Sequence, residues 1–355
     1  MAHKIKVGIV GGTGYTGAEL IRLLSHHPNV KIDVLTSRSE GGKKVSDIFA
    51  NFYPTNELVF SEPNDDKLAS CDVVFFATPH GVAMNSAKKL LDNNTKIIDL
   101  AADFRLQNLD DFSKWYGLLH TCPEVLSQAV YGLPEINRDK IKSANVIGNP
   151  GCYPTTAILG LNPVIKMQNQ QNTQLIGKHI VIDAKSGVSG AGRNAKMGLL
   201  FSELSDNFSA YGVAGHRHQP EIEQGIFDIL SAKFPQHIRF VPHLVPMIRG
   251  MFSTIHLTLT KEGAAIDWQS VFASVYQDEP FIDVLPNGCL PDTRSVRASN
   301  RLKIAICQNN AQEALTVLVV QDNLVKGAAG QAIQNMNLLF GLPETLGLQN
   351  IAVMP

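Results

Sequence analysis

Cys152 stands in the heptad Asn149-Pro150-Gly151-Cys152-Tyr153-Pro154-Thr155. Pro154 suits the first turn of a helix, which puts the thiol at that helix's N-terminus. Free N–H groups and the positive dipole end there favour a thiolate, the form that attacks carbon. A lone cysteine is more often a packing residue. Position argues for chemistry here, because ligands of open parallel sheets bind beyond the carboxyl ends of the strands, where this turn falls. A thiol nucleophile needs a partner titrating near neutrality, and Gly215-His216-Arg217-His218-Gln219-Pro220-Glu221 supplies two imidazoles in a turn leading into a helix over 222–230. Glu221 is then the natural carboxylate to orient one of them, as in a catalytic triad. His216, His218 and Glu221 as metal ligands are the weaker reading, since the HExxH spacing is missing.

A second group of residues suits a dinucleotide. Gly11-Gly12-Thr13-Gly14-Tyr15-Thr16-Gly17 directly follows the apolar run Ile5–Val10. Glycines let a backbone approach pyrophosphate, and the helix start behind them offers N–H donors. No Gly-Lys-Ser/Thr follows, so a Walker A loop is excluded. About 20 residues further on, an NAD site places an acid and an NADP site places cations or hydroxyls. Here the chain reads Thr36-Ser37-Arg38-Ser39, with Lys43 and Lys44 behind, which favours NADP(H). Ser186-Gly187-Val188-Ser189-Gly190-Ala191-Gly192-Arg193 is a second glycine-rich loop suited to phosphate or to closing over a cofactor. Arg105, beyond the apolar run Lys96–Leu100, is a further candidate phosphate holder. No Tyr-x-x-x-Lys pair exists to polarise a carbonyl in the short-chain dehydrogenase manner.

Apolar runs alternate with helical spacing over the first 150 residues: 5–10, 30–36, 73–77, 96–100 and 145–147 as strands, 18–24 and 82–91 as helices. That alternation predicts an α/β domain with a parallel sheet. After Asn149 the pattern changes. A helix is expected from Cys152 to Leu161, an exposed loop over the polar stretch 168–174, and strands at 179–184, 239–245, 253–259, 301–307 and 314–321. One clear helix, 268–276, lies among them. These predict an α+β domain with a mixed or antiparallel sheet. An amphipathic helix over 330–340 is expected to pack back on the first domain. The domains expected are 1–150, 151–325 and 326–355.

The whole chain of 355 residues has a net charge of −1, 44% hydrophobic and 18% charged residues, and a pI near 6.8. A neutral chain without a basic stripe is a poor nucleic-acid binder. Its low charge leaves surface for a homo-oligomer to cover. Five cysteines with no CxxC pair disfavour disulfide frameworks and structural zinc. No signal peptide and no run of about 18 apolar residues is found, so a cytoplasmic protein is expected.

The four segments 11–17, 149–155, 185–193 and 216–221 together resemble the N-acetyl-γ-glutamyl-phosphate reductases, relatives of aspartate-semialdehyde dehydrogenase. The resemblance runs from residue 11 to about 325. It implies a Rossmann-type domain, a catalytic domain inserted before a C-terminal helix, and a homodimer or homotetramer. The implied reaction is reversible NADPH-dependent reduction of N-acetyl-γ-glutamyl phosphate to the semialdehyde and phosphate, in arginine biosynthesis. Carried over with it are Cys152 as nucleophile and the His216–His218 pair as acid/base, His216 being preferred with Glu221 as relay. Gly11, Thr13, Gly14, Tyr15, Thr16, Gly17, Ser37, Arg38, Ser186 and Gly187 are expected at the cofactor. Arg105, Asn149, Ser189, Arg193 and a strand-borne Arg249 are expected at the substrate or its phosphate. The competing readings are a reductase of N-acetyl-aminoadipyl or aspartyl phosphate, a phosphorylating aldehyde dehydrogenase, and a catalytically silent NADP-binding regulator.

Overall fold

Val7 and Ile9 are fully buried and Val10 nearly so in the first strand, β1 (Ile5–Val10), as befits a strand covered on both faces. The computed structural model describes residues 4–54, 57–231, 233–309, 311 and 313–354. Its chain forms two compact units, 1–150 with 328–350 and 151–327 with 351–355.

In the first unit, β1 is joined by β2 (Val30–Thr36), β3 (Val73–Phe76), β4 (Lys96–Asp99), β5 (Val130–Tyr131) and β6 (Val146–Gly148). They form one sheet in the order β2-β1-β3-β4-β6-β5 with every pair parallel. Parallel pairing puts all carboxyl ends on one edge. Gly11, Ser37, Leu100 and Asn149 each follow the last residue of a strand, so they share that edge. β1 lies between β2 and β3, the switch point at which open α/β sheets bind ligands.

The last helix of this unit, Gly330–Leu339, departs from the amphipathic expectation, for all its residues are buried. Its polar side chains are taken up internally. Gln331 and Asn335 both donate to Gly132 O at 2.8 Å, and Asn337 donates to Glu344 O and Leu346 O. A glycine at 132 is required, because a Cβ there would lie 2.5 Å from Asn335 Nδ2.

The second unit holds a mixed sheet of β7 (Ile176–Gly187), β8 (Ser209–Ala210), β9 (His237–Val245), β10 (Met251–Leu259), β11 (Ile282–Val284), β12 (Leu302–Asn309) and β13 (Ala314–Gln321). The order is β11-β12-β13-β10-β7-β9-β8, with β7/β9 and β11/β12 parallel and the other pairs antiparallel. Alternation splits its faces. Ile180, Ile182, Ile255, Leu257, Val317 and Val319 are buried on one, against the helix Cys152–Gln171. Gly160 lets that helix approach, since a Cβ there would stand 2.5 Å from Ile255 Cδ1. On the other face Val181, Asp183, Val241, Phe252, Thr254 and Leu318 stay partly exposed.

The Cys152–Gln171 helix runs ten residues past the expected Leu161. Pro163 inside it cannot donate to Leu159 O, the acceptor four residues back. The Tyr276 hydroxyl takes that carbonyl instead, at 2.5 Å. The polar stretch expected as a loop is partly the helix's last turn. Gln168 is fully buried there, and its Oε1 accepts the Leu175 N–H at 3.0 Å. Among the described residues no helix is long and apolar enough to cross a membrane.

Candidate active site

The turn after β1 is shaped by contact. Gly11 has φ +85, and a Cβ on it would lie 2.4 Å from Ala77 O. A Cβ on Gly17 would lie 2.4 Å from Gly11 O and 2.6 Å from Gly12 Cα, so this glycine sets how closely the helix Tyr15–Leu24 follows the turn. Gly14 is different, with nothing nearer its missing Cβ than Gly11 O at 3.7 Å. No packing within the chain demands glycine there, whereas a pyrophosphate drawn close to the backbone does. Thr13, Tyr15 and Thr16 complete the turn and helix start. The residues therefore fit a dinucleotide.

Ser37 is held at this turn. Gly11 and Gly12 donate to Thr36 O at 3.2 Å, and Thr13 Oγ1 is 3.4 Å from Ser37 Oγ. Arg38 is exposed and makes no ion pair among the described residues. The two lysines expected as further cations are engaged: Lys43 pairs with Glu40 and Lys44 with Glu57, each at 2.7 Å.

Arg105 and Asn149 are bound into the same edge. Arg105 Nε donates to Asn149 O at 2.7 Å and Nη2 to Leu100 O at 2.8 Å. Asp99, whose carboxyl is pushed up by burial and by Asp103, accepts the N–H groups of Ala101, Asp103 and Phe104 and so shapes the turn carrying Arg105. Asn149, expected at the substrate, is fully buried. Its amide donates to Ala328 O at 3.2 Å and accepts from Asn335 at 3.1 Å. That side chain holds the backbone ahead of Pro150.

In the second unit Cys152 is the first residue of its helix, with Gly151 as N-cap. Three contacts fix the backbone around it. Glu221 Oε1, fully buried, accepts the Gly151 N–H at 2.8 Å. Gln321 Nε2 donates to Cys152 O at 2.8 Å. Gly327 leaves room for the thiol's own carbon, since a Cβ there would lie 2.7 Å from Cys152 Cβ.

Glu221 belongs to the first turn of the helix Gln219–Phe227, which starts earlier than the expected 222 because Pro220 fits its first positions. The relay expected between Glu221 and His216 is not made. His216 Nδ1 instead accepts the backbone N–H of His218 at 3.1 Å. The His216 ring is boxed by His218 (4.9 Å between centroids), Tyr211 (5.5 Å), Phe240 (5.6 Å) and Tyr153 (5.9 Å). Burial, and then the Arg217 guanidinium, push its pKa down to about 4. His218 is buried and packs edge-on to Tyr153. Tyr153 OH donates to His243 O and lies 3.0 Å from Tyr211 OH, and burial pushes both phenols up.

Ser186 and Gly187 end β7 rather than opening a loop. Gly187, Val188 and Ser189 donate to Gly250 O, Met247 O and Ile248 O. Arg249 thus sits in the turn between β9 and β10, not on a strand, and its Nη1 reaches Asp322 at 3.3 Å. Asn323 pins the turn by accepting from Gly250 N at 2.8 Å and donating to Ser189 Oγ at 2.9 Å. Arg193 lies in the exposed stretch beyond.

Residues 6–144 match the family model described as semialdehyde dehydrogenase, NAD binding domain, and 152–323 match semialdehyde dehydrogenase, dimerisation domain. N-acetyl-gamma-glutamyl-phosphate reductase of Psychrobacter sp. (strain PRwf-1) is 64% identical over 99% of this chain and 100% of its own. Those of Acinetobacter baylyi and Bordetella pertussis are 59% and 57% identical over 99% of this chain and 100% and 98% of theirs. The chain belongs to this reductase family. Solved structures share the fold. Aspartate semialdehyde dehydrogenase II of Vibrio cholerae aligns with TM-score 0.71 at 17% identity over 96% of this chain and 99% of that one. The Candida albicans enzyme with NADP gives 0.70 at 18%, over 95% and 98%.

For this reductase chain, sequence reasoning overlooked Tyr211, Gln321, Asp322, Asn323 and Gly327. The run Gln321-Asp322-Asn323 at the end of an apolar strand carried a signal, since polar groups closing a buried strand need partners. Tyr211 carried none. It follows the two-residue strand β8, and only the fold brings it to Tyr153.

Proposed function

We propose that this chain reduces N-acetyl-γ-glutamyl phosphate with NADPH, reversibly, giving N-acetylglutamate semialdehyde and phosphate as a cytoplasmic step of arginine biosynthesis. The observation that carries the chemistry is Cys152, fixed on both sides of its backbone at the N-terminus of a twenty-residue helix. The substrate follows from the full-length identity with the curated reductases.

The Cys152 thiolate attacks the acyl carbon; the C–S bond forms, the C–O bond breaks, and the electron pair leaves with phosphate. The helix N–H groups of Cys152 and Tyr153 are suited to the developing oxyanion, with His216 and His218 as further donors. Arg249, oriented by Asp322, is assigned to the substrate, as are Ser189 and Arg193. Arg105 is assigned to phosphate. A dinucleotide is assigned to Gly11–Gly17, Ser37 and Arg38, and Ser186 and Gly187 are assigned as further cofactor residues. NADPH is preferred because Arg38 is available and the nearest acid, Glu40, is paired with Lys43. The hydride that reduces the thioester is the chemistry such a cofactor supplies when bound. We assign homodimer or homotetramer contacts to the partly exposed face of the seven-stranded sheet.

Assays of phosphate-dependent NADP reduction with N-acetylglutamate semialdehyde beside aspartate semialdehyde test the reading. Preference for the second substrate overturns it.

A further inference from the structure

Asn335 and Asn337 lie in the last helix of the first unit, fully buried, and each donates two hydrogen bonds. They serve different ends. Asn337 Nδ2 donates to Glu344 O at 3.1 Å and Leu346 O at 2.9 Å, and its Oδ1 lies 3.0 Å from His27 Nε2, so the whole amide is spent on the chain's return after the helix. Asn335 Nδ2 donates to Gly132 O at 2.8 Å and to Asn149 Oδ1 at 3.1 Å. Its own Oδ1 is buried without a hydrogen-bond partner among the described residues, an unfavourable state for an acceptor out of water. Packing by itself does not select asparagine there. Gly132 O keeps a donor without it, because Gln331 Nε2 reaches the same oxygen at 2.8 Å. The bond that Asn335 alone supplies is the one to Asn149.

That bond fixes a residue on which Arg105 depends. The Asn149 amide is held at both ends, Oδ1 by Asn335 and Nδ2 on Ala328 O at 3.2 Å, and its backbone N–H donates to Asp99 O at 2.8 Å. Its carbonyl oxygen accepts Arg105 Nε at 2.7 Å, while Arg105 Nη2 donates to Leu100 O at 2.8 Å. A planar guanidinium anchored through Nε and one Nη keeps its direction. The fit is close. A Cβ on Gly148 would strike Phe104 O and lie 3.1 Å from Arg105 N, so the Arg105 turn rests on the strand end that carries Asn149.

We infer that Asn335 is a positioning residue for phosphate: through Asn149 it holds the Arg105 guanidinium in the direction that meets the leaving phosphate. The inference rests on the assignment of Arg105 to phosphate. Asn335 is fully buried and acts through Asn149, not on a reactant. A guanidinium turned aside by about 1 Å keeps its charge but loses its paired grip on phosphate oxygens. The effect therefore falls on phosphate and spares the dinucleotide.

The test compares Asn335→Leu with Asn337→Leu in the semialdehyde-oxidising direction, where phosphate is a substrate. Asn335→Leu should raise KM for phosphate about tenfold or more and change KM for NADP+ less than about threefold. Asn337→Leu removes two donated bonds from the same helix, yet both KM values should stay within about threefold of wild type. An unchanged phosphate KM in Asn335→Leu where Arg105→Ala raises it, or equal rises in Asn335→Leu and Asn337→Leu, overturns the inference. Should Asn335→Leu not fold, Asn149→Ala cuts the same bond from its other end and must raise phosphate KM alike. When both variants fold, combining them should add less than about twofold, and a fully additive pair contradicts the relay.

A second readout does not depend on phosphate. In 15N-arginine-labelled enzyme the Arg105 Nε–H, assigned by its loss in Arg105→Ala, should be protected from hydrogen exchange in wild type and in Asn337→Leu. Asn335→Leu should lose that protection, and protection retained there overturns the relay. Protection lost in Asn335→Leu, together with a wild-type phosphate KM in Arg105→Ala, upholds the hold of Asn335 on Arg105 and overturns only the assignment of phosphate to Arg105.

Discussion

Glu221 Oε1 accepts the Gly151 N–H at 2.8 Å, so a fully buried carboxylate holds the residue that caps the helix beginning at Cys152. Its sequence neighbourhood suggests His216 as partner, whereas this oxygen bonds the backbone beside Cys152. Removing the acceptor leaves a buried donor unsatisfied, at about 1–3 kcal/mol. Glu221→Ala should show that loss in urea unfolding, and Glu221→Gln, which keeps an acceptor, less than half of it. Equal losses from the two variants would contradict the role.

Gly17 and Gly14 should separate fold from cofactor. Gly17→Ala drives a Cβ into Gly11 and Gly12 and should lower both stability and dinucleotide binding. Gly14→Ala meets only Gly11 O at 3.7 Å, and should cost stability about 1 kcal/mol or less as a changed N-cap. Its NADPH affinity should nonetheless fall about tenfold or more, measured by fluorescence titration. Unchanged affinity in Gly14→Ala would argue against pyrophosphate at this turn.

Arg38 should set the choice of cofactor. Arg38→Ala is expected to weaken NADPH about tenfold, the worth of one charge-assisted contact, and to leave NADH unchanged. Lys43→Ala and Lys44→Ala should change either affinity by less than about threefold, since both lysines are surface ion pairs. A larger effect from either lysine would move the 2′-phosphate site away from Arg38.

Acid should destabilise the fold through His216. The folded pKa of about 4 lies below the ordinary 6.5, so between those values the unfolded chain binds a proton that the folded chain refuses. This contribution to stability is fully present above pH 6.5 and is lost as pH falls toward 4. The urea midpoint of wild type should therefore drop more steeply through that window than that of His216→Gln. Parallel slopes would show that the imidazole is not depressed.

Much of this was legible in the chain because strands buried on both faces read as apolar runs. Ile5–Val10 and Val30–Thr36 stand at their expected bounds, and the glycines that follow β1 mark its turn. The helix Gly330–Leu339 was harder. Its Gln331, Asn335 and Asn337 look like a solvated face, but they bond to backbone of their own unit. Spacing cannot tell a polar side chain facing water from one paired across 200 residues. The supports of Cys152 were hidden for the same reason: Glu221 and Gln321 reach residues 151 and 152 only through tertiary folding.

The acylated nucleophile is the most direct test of the account. Mixing the enzyme with N-acetyl-γ-glutamyl phosphate in the absence of NADPH, followed by acid quench and peptide mass spectrometry, should find the N-acetylglutamyl group on Cys152 with one equivalent of phosphate released. Cys152→Ser should show neither the adduct nor turnover, while still binding NADPH. Full wild-type turnover with no adduct on Cys152, or a serine variant that keeps the wild-type rate, would contradict covalent catalysis.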